Sequence, residues 1–371
     1  MSKPKILFVL HYPPPVVGAA VVGQFIRESE LINTSFEADY INLATASDLR
    51  QINKGGLSKV GTLLKIQWKV MKALRNKSYD LCYLSFTAKG LGFYKDLAIV
   101  LILKLFGNDV IYHMHNKGVQ LNSKNKFNDL CYRLAFSNAK VILLSPHLYQ
   151  DIARYVKEEQ VFYCPNGIPD TTPSKSFLDG RRESNPCQIL FLSNMTVEKG
   201  AFVLLEACKL LKEAGATFVC HFVGDWFDIS ELDFQHKLSQ YGLDEMVFAH
   251  GKKYGEEKEC FLESANIFAL PTYYHNECFP LVLLEAMKYA LPIVSTSEGG
   301  IEDIVVENET GFIVTQRNAV ALKEKLEILI NDPDLRLKLG LAGKERYELL
   351  YTLDSFEITI SKILATAVQA G

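Results

Sequence analysis

The chain of 371 residues has no apolar run long enough to cross a bilayer. Its longest, Leu97 to Leu103, falls well short of the roughly 20 residues a membrane helix needs. Nor does the start read as a secretory leader: Met1-Ser2-Lys3-Pro4-Lys5 is followed by only five apolar residues, Ile6 to Leu10, which are expected to form a first strand. Eight cysteines, at 82, 131, 164, 187, 208, 220, 260 and 278, form no C-x-x-C pair and lie mostly in apolar surroundings, which fits reduced core thiols of a cytoplasmic protein. No G-x-G-x-x-G follows either opening strand, which argues against an oxidoreductase using a dinucleotide. Net charge is small, −3, but unevenly divided. Residues 1–170 hold 21 Lys/Arg against 13 Asp/Glu, and the remainder holds 19 against 30, so two domains with different partners are expected.

What the chain does have is two α/β series. Ile6–Leu10 reads as a buried strand, followed by a loop from His11 to Ala20 and a helix from about Val21; Gly18 in that loop can let backbone approach a phosphate. Residues 57–77 read as a helix carrying Lys59, Lys65, Lys69, Lys72, Arg75 and Lys77 with no acid, interleaved with apolar residues. Such a helix either lies on anionic lipid or is a domain helix with a solvated basic face. Strands follow at Leu81–Ser85 and Val110–His115, separated by an apolar helix at 93–106, and Val141–Ser145 is one more. His115 closes its strand, where α/β folds put ligand-binding side chains. Metal binding by His113 and His115 is not expected, on the ground that alternate strand residues point to opposite faces and no third ligand is evident. The first domain is assigned to 1–169, the polar linker to 170–186, the second domain to 187–352 and a final helix to 353–371.

In the second series Gln188–Leu192, Phe218–Val223 and Met246–Ala249 are strands, with helices from about Gly200, at 229–241 and at 255–264. Asp332-Pro333-Asp334 has D-x-D spacing but reads as a helix start with Asp332 as N-cap. The most informative stretch runs from Asn276 to Met287 between buried-strand patterns at Ala265–Pro271 and Leu291–Thr296. Pro280 suits the first helical position, which leaves Glu277 in the preceding loop and Glu285 in the second turn. The amides of Leu281 and Val282, with the helix dipole, favour an anion such as phosphate. Lys199, beside a helix start at a strand's carboxyl end, is suited to neutralise a diphosphate.

Pro165-Asn166-Gly167-Ile168, Glu198-Lys199-Gly200, Glu277 through Glu285 with seven residues between, Leu284-Glu285-Ala286-Met287, Pro292-Ile293-Val294 and Gly299-Gly300 follow one another in the order of a known signature. In these motifs the chain resembles the retaining glycosyltransferases of family 4. The match is strong over 160–315 and collinear over the first domain. The resemblance implies an α/β fold of the GT-B class, two Rossmann-like domains facing a cleft with the C-terminal helix crossing back to the first. It implies transfer of a sugar from a UDP- or GDP-linked donor to a glycan or lipid-linked acceptor, with retention, without a metal or other cofactor, in bacterial cell-surface polysaccharide or glycolipid synthesis. It assigns Glu285 to the ribose, Glu277 to the transferred sugar and Lys199 to the diphosphate. Phe279, Pro280 and Leu281 would meet the phosphate or sugar, of which Pro280 has no N–H. His115 would approach the sugar, Gly18 would lie near the diphosphate, and His250 and Gly251 would flank the base. Asn194 stands where many members carry a diphosphate-binding Arg, and an inactive nucleotide-sugar-binding scaffold is the alternative it favours. Membrane contact is expected through 57–77, at the inner face of the cytoplasmic membrane, and no nucleic acid is among the expected partners.

Overall fold

Short runs of Val, Ile, Leu and Phe alternating with helical segments form strands buried on both faces, the pattern of a parallel sheet. In the computed structural model, which describes residues 3–14, 18–44, 57–170 and 185–369, they build two six-stranded sheets with parallel pairing throughout. The chain divides into two units, Met1–Gly167 with Leu353–Gly371, and Ile168–Thr352. The expected linker at 170–186 lies, over 171–184, outside the described residues.

The first unit runs β1 (Lys5–Leu10), α1 (Gly18–Glu28), α2 (Glu30–Ser35), β2 (Glu37–Asn42), α3 (Leu57–Asn76), β3 (Leu81–Phe86), α4 (Gly90–Leu105), β4 (Val110–Met114), α5 (Val119–Asn122), α6 (Lys126–Phe136), β5 (Lys140–Leu143) and β6 (Val161–Tyr163). Its sheet order is β2-β1-β3-β4-β5-β6. Right-handed crossovers put α3, α4 and α6 on one face and α1 and α2 on the other. The second face is completed by the C-terminal helix, Leu353–Gln369, whose Phe356, Ile360, Ile363, Leu364 and Ala367 share a core with Ile6, Phe8, Val22, Ile26 and Ile32. That spacing is the apolar stripe of an amphipathic helix.

The second unit orders its strands β12-β11-β10-β7-β8-β9, where β7 is Cys187–Leu192, β8 Phe218–Val223, β9 Val247–Ala249, β10 Ile267–Leu270, β11 Ile293–Thr296 and β12 Gly311–Val314. The direction of growth reverses beside the first strand of each sheet, between β1 and β3 and between β7 and β10. Loops leaving strands on either side of such a reversal splay apart and leave a crevice at the carboxyl ends.

Three local expectations differ from what forms. Helix α1 begins at Gly18 rather than near Val21, because a glycine in the first turn forfeits no intrahelical bond and Ala19-Ala20 favour the helix. Pro280 is the N-cap of the helix Leu281–Lys288, not its first residue: its ψ of 119° is extended. The edge strand β2 went unrecognised, since its sequence EADYIN, exposed and half-buried except at Ile41, carries no apolar run.

Candidate active site

The loops after β7, β10 and β11 meet at the reversal point of the second sheet. Gly200, at φ +83°, caps the helix Ala201–Glu213, and a Cβ there would lie 2.1 Å from Pro271 O. Only glycine allows both that backbone angle and that approach. The same two loops are tied by Tyr273 N donating to Glu198 O at 2.7 Å and Thr272 Oγ1 donating to it at 3.3 Å. This brings Lys199 Nζ into an ion-paired hydrogen bond with Glu277 Oε2, and 5.0 Å from the centroid of the Tyr274 ring. Glu277 is 8% exposed, so its carboxylate depends on that ammonium for compensation. From the third loop, Gly300 N donates to Cys278 O at 2.6 Å, and Gly299, at φ +58°, presses on Glu277 O. Glu277 is therefore fixed from both sides.

Helix Leu281–Lys288 starts beyond this junction, with the amides of Leu281 and Val282 in its first turn and so without intrahelical acceptors. Phe279 is buried and packs edge-on against Tyr351 at 5.6 Å, which turns its side chain into the protein. Glu285, in the second turn, accepts from Lys258 Nζ at 2.8 Å through Oε1, and Oε2 is buried with no hydrogen-bond partner among the described residues. Lys258 went unnoticed in the sequence because nothing at 258 links it to 285 short of the fold. Asn194 is exposed in the loop after β7.

His250 follows β9 and its N–H donates to Phe222 O at 2.9 Å; Gly251, at φ +64°, accepts from Gly224 N at 2.9 Å. The imidazole of His250 belongs to a chain. Gln188 Nε2 donates to Pro186 O at 3.0 Å, which turns Gln188 Oε1 toward His221 Nε2 at 2.8 Å. His221 Nε2 therefore carries the proton, and Nδ1 accepts from His250 Nε2 at 2.9 Å. Burial, then the neighbouring His250, pushes His221 down to about 4, so the chain is neutral near pH 7.

In the first unit, His115 follows β4 and its ring centroid lies 4.1 Å from that of His113. The expectation that these two histidines face opposite sides is wrong: with a side-chain period of two, residues two apart share a face. Tyr83 Oη and His113 Nδ1 are 2.5 Å apart, and His113 Nε2 is buried with no hydrogen-bond partner among the described residues. Nearby, His11 Nε2 lies 3.0 Å from Lys95 Nζ, which is ion-paired with fully buried Asp96 at 3.0 Å. Gly18 is exposed, and a Cβ on it would meet nothing within 4 Å. The glycine under close backbone approach is Gly23, where a Cβ would lie 1.8 Å from His11 O.

The sequence and the fold both have recognisable counterparts. Residues 176–346 match the sequence model of the family described as glycosyl transferases group 1. The amylovoran biosynthesis glycosyltransferase AmsK of Erwinia amylovora is 32% identical over 197 residues, 52% of this chain and 47% of that protein. The capsular polysaccharide biosynthesis glycosyltransferase CapM of Staphylococcus aureus is 30% identical over 158 residues, 43% of this chain and 40% of that protein. The chain thus spans less than half the length of these relatives. Anabaena HepE, solved in complex with UDP and glucose, superimposes with a TM-score of 0.72 at 18% identity, over 98% of this chain and 100% of that one. The second unit matches group 1 glycosyl transferases in sequence, and the chain has the GT-B fold of two Rossmann-like domains.

Proposed function

We propose that the protein is a glycosyltransferase that moves a sugar from a nucleoside-diphosphate donor to an acceptor hydroxyl with retention, in the assembly of a bacterial surface polysaccharide or glycolipid. The observation that carries this reading is Lys199 held against Glu277 at the sheet's reversal point, beside a helix start. In the proposed reaction the bond from the anomeric carbon to the phosphate oxygen breaks with its electron pair going to the phosphate. The acceptor oxygen bonds to the same face of the sugar, and its proton passes to the departing phosphate. Lys199 and the amides of Leu281 and Val282 neutralise the diphosphate charge, a task that in other enzymes a metal performs. Glu277 orients sugar hydroxyls, Glu285 Oε2 accepts from the ribose, and the backbone at His250 and Gly251 flanks the base. His115 contributes to transfer in this proposal. AmsK and CapM, named for polysaccharide synthesis, support the pathway class, and HepE with UDP and glucose supports the donor class.

A thermal-shift screen of nucleotides and nucleotide sugars, followed by turnover of the stabilising donor against lipid-linked and glycan acceptors, tests the reading. The absence of both stabilisation and turnover with every UDP- and GDP-sugar would reject it. Exposed Asn194, in place of an Arg fork, favours a second reading, a nucleotide-sugar-binding scaffold. Calorimetric binding without turnover in every acceptor pool would select that one.

A further inference from the structure

In the layer formed by α3, α4 and α6, the outward sides of α4 and α6 carry apolar stripes, where a helix facing water is ordinarily polar. On α4 the exposed residues Leu91, Tyr94, Leu101 and Leu105 fall at helical spacing along one stripe, with Leu91 72% and Leu105 85% exposed. Helix α6 lies alongside: Tyr94 Oη donates to Asn128 Oδ1 at 2.5 Å near its start, and Lys104 Nζ donates to Ala135 O at 2.7 Å near its end. It adds a second stripe, Phe127, Leu130 and Leu134, of which Phe127 is 63% exposed. Packed against α4, helix α3 exposes Leu64 and Trp68. Two stripes side by side over the ~21 Å from Leu91 to Leu105 make a continuous patch rather than scattered exposed leucines.

Charge on the same layer has one sign. Helix α3 has no acid in its 20 residues and exposes Lys65, Lys69, Lys72 and Arg75, with Lys72 Nζ 5.1 Å from the centroid of the Trp68 ring. The single acid of α4, Asp96, is fully buried, and that of α6, Asp129, is ion-paired with Arg133 and Arg154. A two-fold contact with a second copy through this face would set base against base. A surface that is hydrocarbon just inside and anionic at its edge complements both features.

We propose that the α3–α4–α6 layer docks on an anionic lipid bilayer, with Leu91, Leu105 and Phe127 entering the headgroup–acyl boundary and the bases of α3 meeting the headgroups. This goes beyond the basic helix alone, since it makes α4 and α6 the apolar anchor. It does not depend on the donor site. The test is flotation of the full chain with phosphatidylcholine vesicles containing phosphatidylglycerol, and with phosphatidylcholine alone, at low salt and at about 0.5 M salt. Two double variants, Leu91→Glu/Leu105→Glu and Lys65→Glu/Lys69→Glu, are compared with wild type. All four side chains are exposed, so melting temperatures should stay near wild type; should the leucine pair fail to fold, Phe127→Ser takes its place. Wild type is expected to float with the anionic vesicles and each double variant to bind about tenfold less or weaker, the basic pair losing most of its salt dependence. Failure of wild type to float with anionic vesicles, or flotation of the Leu→Glu variant equal to wild type, would overturn the proposal. So would a concentration-dependent dimer that the Leu→Glu pair abolishes, because the face would then belong to a second copy.

Discussion

Lys258 Nζ holds one oxygen of Glu285 at 2.8 Å, while the other oxygen is buried with no hydrogen-bond partner among the described residues. A half-satisfied carboxylate is costly to keep in a fold, and a ribose hydroxyl would complete it. Glu285→Ala is therefore expected to raise the donor KM by about 10- to 100-fold, the worth of a hydrogen bond to a charged group. An unchanged KM would remove Glu285 from the donor site. Lys258→Met strands the carboxylate and should lower stability by about 1–2 kcal/mol, between the values for exposed and buried pairs. Adding Glu285→Gln to Lys258→Met should restore most of that loss, as read by urea unfolding.

Lys199 has a different task. Its ammonium is shared between Glu277 and the face of Tyr274, and it is the cation on the loop that opens the crevice. Lys199→Ala should cut kcat by about 10²–10³, the usual cost of deleting one electrostatic stabiliser of a leaving group. Lys199→Met with near-wild-type kcat would sink the assignment.

If Lys199 and the amides at the helix start carry the diphosphate charge, no divalent ion is required. Donor turnover is then expected to persist in excess EDTA. Activity lost to the chelator and restored by Mg²⁺ or Mn²⁺ would reject that part of the proposal.

Glycines show where reading the sequence worked and where it stopped. Gly299-Gly300 and Gly200 were legible because each follows a strand within a spaced motif, and the structure gives Gly200 and Gly299 positive φ and backbone contacts. Gly18 stood out as a glycine in the loop after the first strand, yet Gly23, inside α1, is the residue pressed on His11 O; helix interiors give no local cue that the carbonyl of the residue following β1 passes beneath. Interior strands were readable from their apolar runs, whereas the edge strands β2, β6 and β12 were not: β2 is half polar, and β6 and β12 are only three and four residues long. Lys258 with Glu285 and Gln188 with His221 are pairings that topology makes, across 27 and 33 residues, and no spacing rule reaches that far. The glycine contrast is testable. Gly23→Ala should destabilise by about 1–3 kcal/mol through overpacking, whereas Gly18→Ala, with open space around it in a first helical turn, should be neutral or stabilise by up to about 1 kcal/mol. Equal urea midpoints for the two variants would contradict the packing around His11.

One buried histidine, His113, and two half-buried ones, His115 and His221, should shape the response to acid. His113 is fully buried and its pKa lies well below the ordinary 6.5, from burial first and then His115; burial brings His115 to about 4, and His221 is likewise near 4. In the unfolded chain all three titrate near 6.5. Between about pH 6.5 and 4 the unfolded state takes up protons that the folded state refuses, so stability rises with pH across this window. It is fully present above about pH 6.5 and lost progressively as pH falls toward 4. Urea midpoints should therefore drop between about pH 7 and pH 5, before most carboxylates protonate. His221→Gln, which removes one of these groups while keeping a polar side chain beside Gln188, should give a shallower drop. A midpoint flat across that range in the wild type would mean that these imidazoles are not held neutral by the fold.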